Sequence, residues 1–256
     1  MTVGATPARR ASQRVLAGTA LSVAQVGEVW VGRAAGKLDA ALRTFAADGL
    51  AVSGRCLDVG ASTGGFTQVL LGAGAREVVA LDVGHGQLVP SIAADPRVTE
   101  RSGVSIRDVR PGDLGPAFDL IVGDLSFISL RLVLPHLAPL LTPGGDAVLL
   151  VKPQFEVGRA GLTKHGVVRD RRAASRALLE VLQAAEQLGW RTRGLVASAV
   201  LGNTGNQEYL GWFTTRPACG PAVVDAVDLP DRVARVTQSP ATPARGIDPP
   251  PERTHR

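Results

Sequence analysis

Cys56-Leu57-Asp58-Val59-Gly60-Ala61-Ser62-Thr63-Gly64-Gly65-Phe66-Thr67 sets a glycine-rich turn directly behind a short apolar run. An amphipathic stretch follows it, and the next apolar run, Glu77-Val78-Val79-Ala80-Leu81, ends on Asp82. Strand, glycine turn, helix, strand and acid in that order make a βα nucleotide-binding unit. Glycine lets the backbone approach a bound molecule with no Cβ in the way. Asp82 is then placed to accept hydrogen bonds from ribose hydroxyls.

The wording of the turn separates the possible ligands. A dinucleotide fingerprint reads GxGxxG and faces a helix N-terminus toward pyrophosphate; D-V-G-A-S-T-G-G-F does not match it. An acid just before the first glycine would repel pyrophosphate but suits an ammonium group. S-adenosylmethionine, with a zwitterionic methionyl end, fits that arrangement. The candidate cofactor contacts are Asp58, Gly60, Ala61, Ser62, Gly64, Gly65, Phe66, Asp82 and Val83, with Asp124 at a later strand end. NAD binding and a turn without function stay open as alternatives.

Strand-like runs recur with helical connections between them: Arg55 to Val59, Glu77 to Asp82, Leu120 to Gly123 and Ala147 to Val151. Lys37 to Phe45 has the apolar spacing of a short helix, and Leu178 to Leu188 that of another, closed by Gly189. Val196 to Val200 and Glu208 to Thr214 resemble a terminal hairpin. Alternation of this kind predicts an α/β fold with a mostly parallel sheet, to which the hairpin adds an antiparallel strand. The expected domains are a poorly ordered basic segment at residues 1–29, a catalytic domain at 30–215 and a disordered Pro-rich tail at 216–256.

A chain of 256 residues with 45% hydrophobic content can bury one full α/β core. Its most apolar stretch, Phe118 to Leu141, is interrupted by Asp119, Asp124, Arg131 and Pro135 and reads as strand, loop and helix, not a membrane span. The N-terminus has arginines but no apolar core of a signal peptide, and Cys56 and Cys219 have neither metal nor disulfide spacing. A cytoplasmic protein without a metal or membrane partner is expected.

The net charge of +5 is uneven. Residues 152–176 hold seven basic side chains against two acidic ones, and residues 1–50 hold six against three. Two basic segments flanking a nucleotide fold suggest a polyanionic partner, RNA first, although a solvated arginine-rich face would have the same composition.

Candidate chemistry lies at the carboxyl ends of the strands, where open α/β sheets hold ligands. Asp124 follows the run Asp119 to Gly123 and begins Asp124-Leu125-Ser126-Phe127-Ile128-Ser129; capping the next helix is its bland role, which Ser129 could fill instead. Lys152 ends Val148-Leu149-Leu150-Val151 and is aimed by Pro153. Of 28 Lys and Arg residues only Lys37, Lys152 and Lys164 are lysine. Where arginine is so strongly preferred, a retained lysine suggests a need for a compact amine able to lose its proton, which guanidinium cannot do.

With these residues in hand, the chain resembles the TlyA (hemolysin A) group of FtsJ-like rRNA 2′-O-methyltransferases. The matching segments are Trp30-Val31-Gly32-Arg33 with Lys37-Leu38, Cys56 to Thr67, Asp82 to Leu88, Asp124 to Ser129, Val151 to Glu156, Gly166-Val167-Val168 with Asp170, and Gly205-Asn206 with Glu208-Tyr209. They run in order from Trp30 to Phe213. The resemblance implies a Rossmann-like class I methyltransferase fold with a seven-stranded sheet, S-adenosylmethionine as cofactor and ribosomal RNA or a ribosomal subunit as partner, with cytidine as the nucleotide. It also implies a catalytic tetrad of Lys37, Asp124, Lys152 and Glu208. In that scheme Lys152 contacts the ribose hydroxyl, Asp124 and Lys37 position it, and Glu208 holds Lys152.

Two departures bear on the substrate. Family members carry an S4-type RNA-binding domain ahead of the catalytic one, and residues 1–29 are too short and weakly patterned to be one. Their threonine-asparagine-arginine element after the third strand is replaced by Arg101-Ser102-Gly103-Val104-Ser105-Ile106-Arg107, expected beside the adenine. A small-molecule O-methyltransferase and a noncatalytic binding relative therefore stand as alternatives. The second predicts decay in the tetrad, which is intact.

Overall fold

A computed structural model describes residues 2–4, 6–7, 13–22, 29–216 and 229–238. It divides into two compact units, Met1–Trp30 and Val31–Arg256. In the first, β1 (Thr2–Val3), β2 (Thr6–Pro7) and β3 (Leu21–Ser22) form an antiparallel sheet in the order β2-β1-β3. Poor order was expected there from weak periodicity, yet such two-residue strands need only backbone pairing and leave no hydrophobic pattern to read. Arg9 and Arg10 of the basic N-terminal segment lie outside the described residues.

The second unit is built on a seven-stranded sheet. Its strands are β4 (Arg55–Val59), β5 (Glu77–Asp82), β6 (Val98–Ser102), β7 (Phe118–Gly123), β8 (Leu141–Val151), β9 (Arg191–Ala197) and β10 (Tyr209–Thr214). The order is β6-β5-β4-β7-β8-β10-β9, parallel from β6 to β8, with β10 antiparallel to both its neighbours. Parallel strands are covered on both faces and so read as continuous apolar runs; Leu57, Val79, Ile121 and Leu149 are accordingly fully buried.

Among the described residues seven α-helices accompany the sheet: α1 (Arg33–Ala46), α2 (Gly65–Ala73), α3 (Pro90–Ala93), α4 (Leu130–Leu137), α5 (Pro153–Glu156), α6 (Arg171–Gln187) and α7 (Leu229–Gln238). The helix expected over Leu178 to Leu188 begins a full turn and more earlier, because Asp170 caps it by accepting from Ala173 N–H at 2.6 Å. Gly189, with φ of +80°, closes its far end.

Other boundaries also differ from the expected ones: β8 begins at Leu141 ahead of Ala147, and α1 at Arg33 ahead of Lys37. The outer hairpin strand lies at Arg191–Ala197, ahead of the expected run Val196 to Val200; half-buried Arg191 and Arg193 alternate with buried Thr192 and Gly194 and hide its pattern in the sequence. The tail beyond residue 216 was expected to be disordered, but α7 packs on α6 and β9 through Leu229 and Val233. Their spacing of four residues puts both on one helical face within a polar composition. Residues 217–228 and 239–256, with Cys219, lie outside the described residues.

Strand order reverses beside β4, with β5 on one side and β7 on the other. Open α/β sheets bind ligands in the crevice at that switch point, outside the carboxyl ends of the strands. The glycine turn and Asp124 leave the sheet there.

Candidate active site

Val59 ends β4, and Gly60 turns the chain with φ of +83°. A Cβ on Gly60 would stand 2.7 Å from the carbonyl oxygen of Asp124, so the β4 and β7 exits can pass this closely only with glycine at that position. The Gly60 and Ala61 amides donate to the Leu81 carbonyl at 2.8 and 3.1 Å, and the Asp124 amide donates to Val59 at 3.1 Å. The turn is thereby tied to β5 and β7 at once.

Asp82 receives two backbone donors, Ser62 N–H at 2.8 Å and Gly84 N–H at 2.7 Å. A carboxylate has lone pairs for about four donors, so its orientation is fixed while capacity for ligand hydroxyls is left. Asp58 lies fully buried beneath the turn. One oxygen accepts from Thr67 Oγ1 at 2.7 Å, and Oδ1 has no hydrogen-bond partner among the described residues. Burial pushes the Asp58 carboxyl up to about 7; the Thr67 hydrogen bonds oppose that rise, and the charges of Asp124 and Asp82 add to it.

A cavity of about 640 Å³ opens at this point, within the range of small-molecule sites. Gly60, Ala61, Ser62, Gly65 and Phe66 line it from the turn, and Lys37, Asp124, Lys152 and Glu208 line it from α1, β7, β8 and the approach to β10. The four residues of the expected tetrad thus meet in one place, although 171 positions separate the outer two. Asp58 and Gly64 stay behind the wall. Asp82 borders a narrow cleft that shares Ala61 and Ser62 with the cavity, and Val83 projects to solvent with 69% exposure. The segment after β6 lies beside Asp82, since the Val104 amide donates to the Asp82 carbonyl at 3.0 Å.

The tetrad is arranged as two ion pairs. Lys37 Nζ donates to Glu208 Oε2 at 2.6 Å. Lys152 Nζ stands 2.6 Å from Asp124 Oδ1, out of hydrogen-bond alignment, and donates to Ser126 Oγ at 2.8 Å. This corrects the expectation that Glu208 holds Lys152. Lys152 turns toward β7 and the Asp124 segment, whereas Glu208 is met by Lys37 from α1 and by Gln154 Nε2 at 3.0 Å. All four side chains are withdrawn from solvent, none more than 14% exposed.

Residue-type reasoning passed over Ser126, Gln154, Phe127 and Phe155, which also line the cavity. They sit inside the quoted motifs, but neither serine, glutamine nor phenylalanine declares a role without its neighbours. Gln154 Oε1, like Asp124 Oδ1, has no hydrogen-bond partner among the described residues. Phe127 is 91% exposed, with φ of +62°, and its ring centre lies 5.2 Å from that of Phe155. Among the described residues there is no cluster of His, Cys, Asp or Glu able to hold a metal ion, and no helix is long and apolar enough to cross a membrane.

These features fit a cationic, hydroxyl-bearing cofactor. Gly60, Ala61 and Ser62 bring the turn to the cavity wall, the Asp124 carboxylate lines the same cavity, and Asp82 retains acceptor capacity at the second strand end.

Residues 30–215 match the family model described as FtsJ-like methyltransferase. A Mycobacterium tuberculosis protein named 16S/23S rRNA (cytidine-2′-O)-methyltransferase TlyA is 48% identical over 212 residues, which span 82% of this chain and 78% of that one. A Campylobacter jejuni protein named 23S rRNA (cytidine-2′-O)-methyltransferase TlyA is 35% identical over 190 residues, 73% of this chain and 72% of the relative. The crystal structure of a Lactococcus lactis protein described as a hemolysin superposes with a TM-score of 0.73 at 37% identity, covering 82% of this chain and 97% of that one. By this likeness, and by a fold and cavity that agree with it, the chain belongs to the FtsJ-like methyltransferase family.

Proposed function

We propose that this enzyme methylates a ribose 2′-hydroxyl of ribosomal RNA, a cytidine ribose in the first instance, using Lys37, Asp124, Lys152 and Glu208. The observation that carries the reading is the convergence of both lysine–carboxylate pairs on the cavity that the glycine turn lines. The relatives named as rRNA cytidine-2′-O-methyltransferases supply the substrate class.

S-adenosylmethionine is the methyl donor and supplies a methyl group already activated on a sulfonium. The protein's task is to aim a weak nucleophile and manage its proton. Asp124 and Ser126 hold the Lys152 ammonium at the cavity wall, where it donates to the acceptor hydroxyl oxygen and stabilises negative charge growing there; as the O–CH3 bond forms the S–CH3 bond breaks, S-adenosylhomocysteine leaves and the hydroxyl proton passes to solvent. Lys37, fixed by Glu208, adds a second cation to the lining of the same cavity. Gln154 donates through its amino group to the other Glu208 oxygen, which helps to fix the carboxylate that Lys37 meets.

Charge outside the cavity suits a nucleic acid. Arg159, Lys164, Arg169, Arg171, Arg172 and Arg176 are all exposed, and this segment reaches the cavity wall at Leu162 and Gly166.

The test is methyl transfer from labelled S-adenosylmethionine to purified ribosomal subunits, with Lys152→Ala as control. Label in ribose that depends on Lys152 supports the proposal. Cofactor binding without label in either subunit would overturn the substrate and point to a different acceptor.

A further inference from the structure

Glu156 closes α5, four residues after Lys152, with a side chain only 1% exposed. Its Oε1 accepts from Leu130 N–H at 2.6 Å, and its Oε2 accepts from Ser129 Oγ at 2.5 Å and Arg131 Nε at 3.3 Å. Leu130 begins α4, whose first turn contains no acid and receives no side-chain cap from Ser129. Helix N-termini need acceptors for their free amides and favour negative charge. Here a carboxylate 26 residues away meets both needs. Ser129 stands at the capping position but gives its hydroxyl to Glu156 instead. Arg131 also donates to the Glu156 carbonyl at 3.3 Å and pairs with Glu180 of α6 at 2.7 Å, which anchors the cluster.

The segment from Asp124 to Ser129 is therefore held at both ends, by Val59 through the Asp124 amide and by Glu156 through Ser129 and Leu130. Between those ends lie Ser126, bonded to Lys152, and Phe127, whose ring packs at a tilt against Phe155. The left-handed φ of Phe127 costs about 1–2 kcal/mol and persists only where its surroundings over-determine it. The loops after β7 and β8 are thus joined twice, at the cavity by Lys152 with Asp124 and away from its lining by Glu156.

We propose that Glu156 is a positioning residue for methyl transfer, holding Asp124, Ser126 and Phe127 in register with Lys152. The proposal rests on the transfer reading above, and its role is to preserve a geometry rather than to touch the acceptor.

The experiment compares full-length Glu156→Ala, Glu156→Gln and Ser129→Ala with wild type. Three readouts are taken: hydrogen exchange over residues 124–131, equilibrium binding of S-adenosylhomocysteine, and single-turnover transfer to ribosomal subunits per folded protein. Glu156→Ala should speed exchange in that segment and slow transfer by about 30- to 100-fold, with binding changed by less than about 3-fold. Glu156→Gln should recover most of the rate, since its amide oxygen still accepts from Leu130. Ser129→Ala, which removes one donor only, should fall between them and serves if the alanine variant does not fold. Transfer at the wild-type rate in both Glu156→Ala and Ser129→Ala, equal loss of binding and transfer, or glutamine no better than alanine would overturn the proposal. If wild type labels no RNA, the acceptor reading fails. Exchange then judges Glu156 alone, and unchanged protection in Glu156→Ala or Ser129→Ala overturns it.

Discussion

Lys37 and Glu208 lie 171 positions apart, yet they meet at 2.6 Å with side chains 10% and 3% exposed. Removing one partner of such a pair leaves a charge uncompensated, which costs about 3–5 kcal/mol in buried settings. Lys37→Met and Glu208→Leu should each be strongly destabilising in urea unfolding, and the double variant should lose less than the two costs combined. Strict additivity would mean that the pair is not coupled.

Lys152→Arg keeps the charge and can still pair with Asp124. The guanidinium is planar and longer, so it cannot take the place of a compact ammonium beside Ser126. We expect transfer to fall by at least about 100-fold with cofactor binding nearly unchanged. Single-turnover rates and calorimetric titration check this; an active arginine variant would make Lys152 a simple counter-charge.

Gly60→Ala should fail on two counts. Alanine disfavours φ of +83°, and its methyl would press on the Asp124 carbonyl oxygen 2.7 Å away. The expected stability loss is about 2–3 kcal/mol, with weaker cofactor binding as the turn moves. Thermal unfolding with and without S-adenosylhomocysteine measures both effects.

Phe127 is the opposite case, since a ring 91% exposed contributes little to folding. Phe127→Ala should change stability by less than about 0.5 kcal/mol. If its ring stacks on an RNA base at the cavity mouth, KM for ribosomal subunits should rise about 10-fold with little change in cofactor affinity. An unaltered KM would remove Phe127 from the acceptor site.

Asp58 predicts a pH signature. Its folded-state value of about 7 lies above the ordinary 3.8, so the native state holds a proton that the unfolded state has released between those limits. Stability from this group is full below the lower limit and is lost as pH rises through about 7, by up to about 4 kcal/mol. Asp58→Asn should therefore show less loss than wild type between pH 5 and pH 8 in urea titrations. Parallel pH profiles for the two proteins would contradict it.

The turn at Gly60, the parallel strands around it and the acids Asp82 and Asp124 were all legible in the sequence, because glycine placement and continuous apolar runs are local consequences of a βα unit. The outer elements were not: β9 is masked by alternating arginines, and α7 by a polar composition that conceals Leu229 and Val233 on one face. Residue type singled out the lysines and Asp124, and likeness to the family completed the tetrad with Glu208. Which lysine meets which carboxylate depended on where α1 reaches the sheet and on β10 entering between β8 and β9. Asp58 and Glu156 show the same division. Their positions are written in the chain, but burial beneath a turn and a bond to a distant helix N-terminus exist only once neighbouring strands bring the segments together.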